Sequence, residues 1–147
     1  MTTAVTREAI VAEATRWLGT PYQHQASLKG VGCDCLGLLR GVWRAFYGDE
    51  PEALTAYTPD WAEAKGAETF AEAAGRHLVP IAIEEAGAGD VLLFRWRANL
   101  PAKHAAIMVA RDRFIHAQQG AAVAFATLTP WWRRRIAYAF RFPGLGD

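Results

Sequence analysis

The sequence predicts an α+β domain with helices first and an antiparallel β-sheet after them. Three observations predict it. Before about residue 78 the apolar residues fall at helical spacing. From Gly89 onward the chain changes to short strand-like runs separated by turn signals. There is no repeat, low-complexity tract or linker in the 147 residues, a length that suits one domain, residues 1–147, with a single core.

Taken in order, Ile10, Val11, Ala14, Trp17 and Leu18 mark a packing helix over residues 7–18, stopped by Gly19 and Pro21. The loop from Gly19 to Gly32 is long, and long ordered loops in compact domains are often functional. Its candidate polar groups are Tyr22 and His24. It leads into Cys35, Leu38, Leu39, Val42, Trp43 and Phe46, the one-sided stripe of an amphipathic helix, with Asp34 as N-cap and Gly48 as C-cap. Residues 49–59 read as irregular. Asp60 caps an expected helix from Trp61 to Leu78, with Ala64, Phe70, Ala74 and Leu78 inward and His77 on the surface. Strands are expected at 90–97, 104–109, 113–117, 121–126 and 136–142.

The bulk numbers exclude several function classes. With 52% hydrophobic and 21% charged residues and a net charge of +1, nothing drives the chain toward nucleic acid or an anionic membrane. No stretch reads as a transmembrane span, and Met1 to Glu8 lacks a signal-peptide pattern, so synthesis in the cytoplasm is expected. The two cysteines, Cys33 and Cys35, stand too close together for a disulfide framework.

The chemistry is concentrated at Cys35 and two histidines. In the first helical turn, free N–H groups and the helix dipole favour a thiolate. If the turn after Val109 centres on Ala110 or Arg111, His104 faces His116 across the hairpin. A turn one residue longer pairs His104 with Gln118 on the same face. A thiolate, a histidine base and a third polar group that orients the base make a nucleophilic cysteine site.

These residues carry a resemblance. Gly19-Thr20-Pro21-Tyr22 followed by Gly32-Cys33-Asp34-Cys35-Leu36-Gly37-Leu38 resembles the first motif of the NlpC-type cell-wall peptidases, a papain-like family whose pattern is G-x-P-Y and then D-C-S-G. Gly89 to Phe94, His104 to Val109 and Phe114 to Ala117 are similar to the three strand motifs that follow, so the likeness spans about residues 8–142. It implies a papain-like single domain with Cys35 as nucleophile, His104 as base and His116 as third residue. Tyr22 and the Cys35 N–H would then stabilise the oxyanion. It also implies no cofactor, no metal, and as substrate the γ-D-glutamyl–diaminopimelate bond of peptidoglycan stem peptides. Leu36 replaces the usual serine, Gln25-Ala26 stands where paired glycines are frequent, and Cys33 is extra.

The form Cys-Asp-Cys-Leu-Gly-Leu and the Arg-Phe-Pro ending resemble the branch encoded with phage and gene-transfer-agent tails. That likeness implies tail-tip proteins as partners, incorporation into a virion-like tail, and action at the cell wall. Alternatives are a non-catalytic tail plug, a papain-like amidase or acyltransferase, and a zinc site from Cys33, Cys35, His104 and His116, for which Cys-x-Cys is a poor match. Trp131 to Arg135 reads as solvated surface, or as a docking patch for a tail protein or anionic stem peptides.

Overall fold

A computed structural model of the protein describes residues 5–50 and 69–146. Helix α1, Arg7–Thr15, starts at Thr6, whose hydroxyl accepts from the Ala9 N–H at 3.1 Å. It ends before the expected Leu18, because the chain tightens there: the N–H groups of Trp17 and Leu18 bond three residues back, to Ala14 and Thr15. That turn drives the Trp17 ring into the core against Gly41, where an added Cβ would lie 2.0 Å from the indole.

The loop that follows is more structured than expected. Ser27–Leu28 (β1) and Gly32–Cys33 (β2) form a small antiparallel hairpin. Upstream of it, Gly19, Thr20 and Tyr22 exchange backbone bonds with Ala121 and Val123. This pairing displaces the expected strand at 121–126 to β7, Ala124–Thr127. Helix α2 runs Cys35–Tyr47 as expected, and Gly48 takes a φ of +82° at its end.

The start of the expected 61–78 helix, with Asp60 and Ala64, lies outside the described residues, as do 51–59. Its second part is α3, Thr69–His77, with Phe70 buried and Ala74 and Leu78 packed on the core. His77 is half-buried there, not a surface residue. Strand β3, Val79–Ile81, was not expected; its Pro80 is tolerated because β3 is an edge strand.

The six-stranded sheet has the order β3-β8-β4-β5-β6-β7, every pair antiparallel, with β4 Val91–Phe94, β5 His104–Ala110, β6 Arg113–His116 and β8 Ile136–Arg141. Strand β4 stops short of the expected Arg97. Arg95 donates its N–H to Arg135 O at 2.9 Å and the chain turns away, its side chain bonded to Leu100 O.

Alternation splits the sheet residues between two faces. Val91, Leu93, Ala105, Ile107 and Ile115 face α1, α2 and α3 in the main core. Leu92, Phe94, Ala106, Met108 and Phe114 form a second cluster on the opposite face. It is covered by Trp132 from a short helix, α4, Pro130–Arg133. The basic run is therefore not uniformly surface: Trp131 is 45% exposed while its neighbour Trp132 turns inward. Buried Asp90 ties the ends together, accepting from Arg141 twice at 3.0 Å and from Arg7 at 3.1 Å. Among the described residues no helix is long and apolar enough to cross a membrane.

Candidate active site

Cys35 is placed by its own neighbourhood. Asp34 accepts the Gly37 N–H at 2.7 Å through one carboxylate oxygen and the Gln25 N–H at 2.8 Å through the other. The cap thus fixes both the helix start and the loop beside it. Gly37 is required because a Cβ there would sit 1.9 Å from Ala26 O. His24 comes only to 3.8 Å from Asp34 and belongs to this cap. Cys33 is wholly buried in the main core, whereas Cys35 is half-buried.

The Cys35 sulfur rests against the first residues of β5. It lies 3.9 Å from Lys103 O, and the Ala105 N–H also reaches it. These two residues flank His104. The helix start alone favours a thiolate, but burial outweighs it: desolvation, with Asp34 adding, pushes the thiol up to about 12 against the backbone N–H groups of Ala105, Leu36 and Cys35.

The histidines meet by a different route from the one expected. The β5–β6 register pairs Ile107 with Ile115 and Met108 with Phe114, so extending it sets Ala106 opposite His116 and Gln118 opposite His104. An irregularity between Met108 and Ala110 accounts for the shift. The longer-turn register is thus the observed one, yet the residue in contact is His116. Strand β6 ends there, Gln118 is exposed, and His116 reaches diagonally so that its Nδ1 lies 2.8 Å from His104 Nε2. Burial, then the neighbouring His116, takes the His104 imidazole down to about 3, and burial takes His116 down to about 4. Both rings are therefore neutral at neutral pH.

Tyr22 is held beside the thiol by the loop's bonds to Ala121 and Cys33. Burial, then Cys35 and Asp34, raises its hydroxyl to about 12, so it remains a hydrogen-bond donor. A groove of about 340 Å³ lined by Pro21, Tyr22 and Gly120 to Ala122 opens next to it. Among the described residues no group of three or more His, Cys, Asp or Glu is placed to hold a metal ion.

The aromatic surroundings of the histidines were not foreseen. Trp96 stacks on His104 with centroids 5.2 Å apart, and Trp132 lies 6.0 Å from His104 and 5.5 Å from His116. Phe114 packs edge-on against His116 at 4.9 Å. The only signal was two tryptophan-rich stretches, 96 and 131–132, in a chain otherwise read as strand end and surface.

Comparison with known proteins identifies the family and the fold. The NlpC/P60 family model matches residues 19–141. The chain is 29% identical over 137 residues to the gamma-DL-glutamyl hydrolase of Bacillus subtilis (strain 168). That match covers 92% of this chain and 29% of the hydrolase, so the chain spans less than a third of that relative's length. The structure is similar to the NlpC/p60 domain of the peptidoglycan hydrolase SagA, at 26% identity and a TM-score of 0.64, over 94% of this chain and 100% of that one. It also shares its fold with an NlpC/P60 family protein from Bacillus cereus ATCC 10987, at 20% identity and a TM-score of 0.68, over 95% and 41% of the two chains.

Proposed function

The chain belongs to the NlpC/P60 family, whose members are cysteine peptidases and peptidoglycan hydrolases, and from that premise we propose that it is a cysteine endopeptidase of peptidoglycan stem peptides. The observation that carries the reading is the buried His104–His116 pair, bonded at 2.8 Å, at the strand start whose backbone holds Cys35 Sγ. The bond we assign is that between γ-D-glutamyl and diaminopimelate; the named activities of the B. subtilis hydrolase and of SagA support the substrate class.

In the proposed reaction His104 Nδ1 takes the proton from Cys35 as the sulfur attacks the γ-carbonyl carbon. For Nδ1 to be free to take that proton, His104 must carry its own hydrogen on Nε2 and donate it to His116 Nδ1, 2.8 Å away. The carbonyl oxygen becomes an oxyanion, stabilised by the Tyr22 hydroxyl and the Cys35 N–H. The C–N bond then breaks, His104 returns its proton to the departing amine, and a thioester remains. Water, deprotonated by His104, hydrolyses the thioester and frees Cys35. Acylation and deacylation each begin with His104 uncharged, which its burial provides.

Incubating the protein with purified muropeptides and identifying products by mass tests the reading. Cleavage on the amino side of diaminopimelate, freeing its amine, supports it. Release of the whole stem peptide would favour an amidase, and no product would favour a plug. Iodoacetamide should label Cys35 ahead of the wholly buried Cys33.

Delivery by a phage-like tail, with tail-tip proteins as partners and the cell wall as site of action, is part of the same proposal. Its support is the likeness of Cys33 to Leu38 and of Arg141-Phe142-Pro143 to the tail-encoded branch. Exposed Trp131, Arg133 and Arg134 are the proposed docking residues. Tail-like particles purified with wild-type protein should contain it, and particles carrying Cys35→Ala should assemble but deliver DNA poorly. Absence of the protein from the particles would remove this route.

A further inference from the structure

We propose that Trp96 and Trp132 form an aromatic clamp that holds the His104 ring and stabilises its protonated form while the proton is on loan from Cys35. The inference rests on the reading of Cys35 and His104 as nucleophile and base, and both tryptophans are positioning residues within it. His104 is 5% exposed. Trp96 stacks on it at 5.2 Å and 28°, and Trp132 lies against it at 6.0 Å and 30°. The two indoles are themselves 5.8 Å apart, so the three ring centres form a compact triangle with both indoles against one side of the imidazole. Phe94, at 6.0 Å, and His116 complete the surroundings.

This environment has a consequence for charge. Among the described residues no carboxylate pairs with His104, and its polar partner, His116, is neutral. When Cys35 gives up its proton, a full positive charge arises on a ring cut off from water. The His116 lone pair at Nδ1 meets one edge of that ring. One side of it meets both indole π-systems, whose negative faces attract a cation within about 6 Å. The attraction is weak while His104 is neutral and strong once it is charged. It therefore favours the ion-pair form and the transition state over the resting site, which is the differential binding that raises turnover. Plain packing is already supplied by Phe94 and Phe114, which also touch Trp132.

Fluorinated tryptophans installed at position 96 alone, or at 132 alone, test this in the full chain. Fluorine leaves the shape of the indole nearly unchanged and drains its negative face. Two rates are read at pH 7: alkylation of Cys35 by iodoacetamide, followed by peptide mapping, and turnover of muropeptides. We expect both the alkylation rate and kcat to fall stepwise with fluorine number at position 96, by about tenfold for the most fluorinated ring, with KM unchanged. A smaller fall is expected at 132, and none for the same rings at Trp43, which stacks on Tyr47 instead. Rates independent of fluorine number at both 96 and 132 would overturn the clamp. If Cys35 alkylation follows fluorine number but no form turns over muropeptides, the clamp stands and the peptidase reading fails. If muropeptides are turned over with no fluorine dependence, the peptidase reading stands and the clamp fails.

Discussion

The helix start that carries Cys35 is framed by the loop and cap that lead directly into it, whereas the His104 ring is enclosed by side chains from four separate parts of the fold. Asp34, Gly37, Gln25 and Ala26 set the helix start within one stretch of chain. The His104 ring is enclosed by Phe94 from β4, Trp96 from the turn after it, His116 from β6 and Trp132 from α4. The two regions also lie on different faces of the sheet, and they meet only because β5 begins at His104 with its backbone against the sulfur. The proposed nucleophile thus sits on a locally specified helix start, with its sulfur against β5. The proposed base, His104, depends on packing from across the fold, which keeps it dry and neutral.

The largest expected effect removes either side. Cys35→Ala and His104→Ala should each lower muropeptide turnover by roughly 10⁴-fold, and the double variant hardly further, because the two act as one unit. On the histidine side a graded loss is expected. His116→Ala should cost about 10²-fold, and His116→Gln less, since its amide keeps a partner for His104 Nε2. Equal activity of both His116 variants and wild type would break the assignment of that residue as the third member.

Next comes the local frame of Cys35. Gly37→Ala drives a methyl to 1.9 Å from Ala26 O, backbone that cannot step aside without moving the cap. A loss of about 3 kcal/mol is expected in denaturant unfolding, with slower Cys35 alkylation. Unchanged stability would mean that the loop is less tightly tied to α2 than its hydrogen bonds imply.

The contrast in burial sets the pH behaviour. His104 and His116 are lowered to about 3 and about 4 in the folded protein, below the ordinary imidazole value of 6.5. Between those limits the unfolded chain binds more protons than the folded one, so stability should rise with pH from about 3 to 6.5 and flatten above. His104→Ala should make that rise shallower in pH-dependent denaturation. For the same reason activity should persist at pH 5, where an exposed imidazole would be charged; an acid limb near pH 6.5 would contradict the dry histidine face.

The smallest effect sharpens the local side. Gln25 holds a φ of +65° while its N–H is bound to Asp34. Glycine adopts that conformation without strain but gains freedom in the unfolded chain, so Gln25→Gly should stabilise by no more than about 0.5 kcal/mol. A marked loss of stability on calorimetry would show that the glutamine side chain contributes something beyond its backbone.

The extent to which each region could be read from sequence follows the same division. Asp34, the stripe from Cys35 to Phe46 and Gly48 specify α2 through neighbouring residues alone, and that helix formed over Cys35–Tyr47 as expected. The order of helices and strands, and the hydrophobic alternation that puts His104 on a sheet face, were legible for the same reason: periodicity is a property of short windows. Tertiary structure decided what short windows do not contain. An irregularity at the end of β5 moved the hairpin register, and the early end of β6 left His116, not Gln118, against His104. Backbone pairing of residues 121–123 with the Gly19–Tyr22 loop shortened a strand and set Tyr22 beside the thiol. Trp96 and Trp132 joined the histidines because two bends in the chain folded them onto one sheet face, where large aromatic surface is most favourably buried. Even the thiol's tendency to ionise, which a helix start alone would favour, was reversed by the desolvation that only the assembled fold imposes.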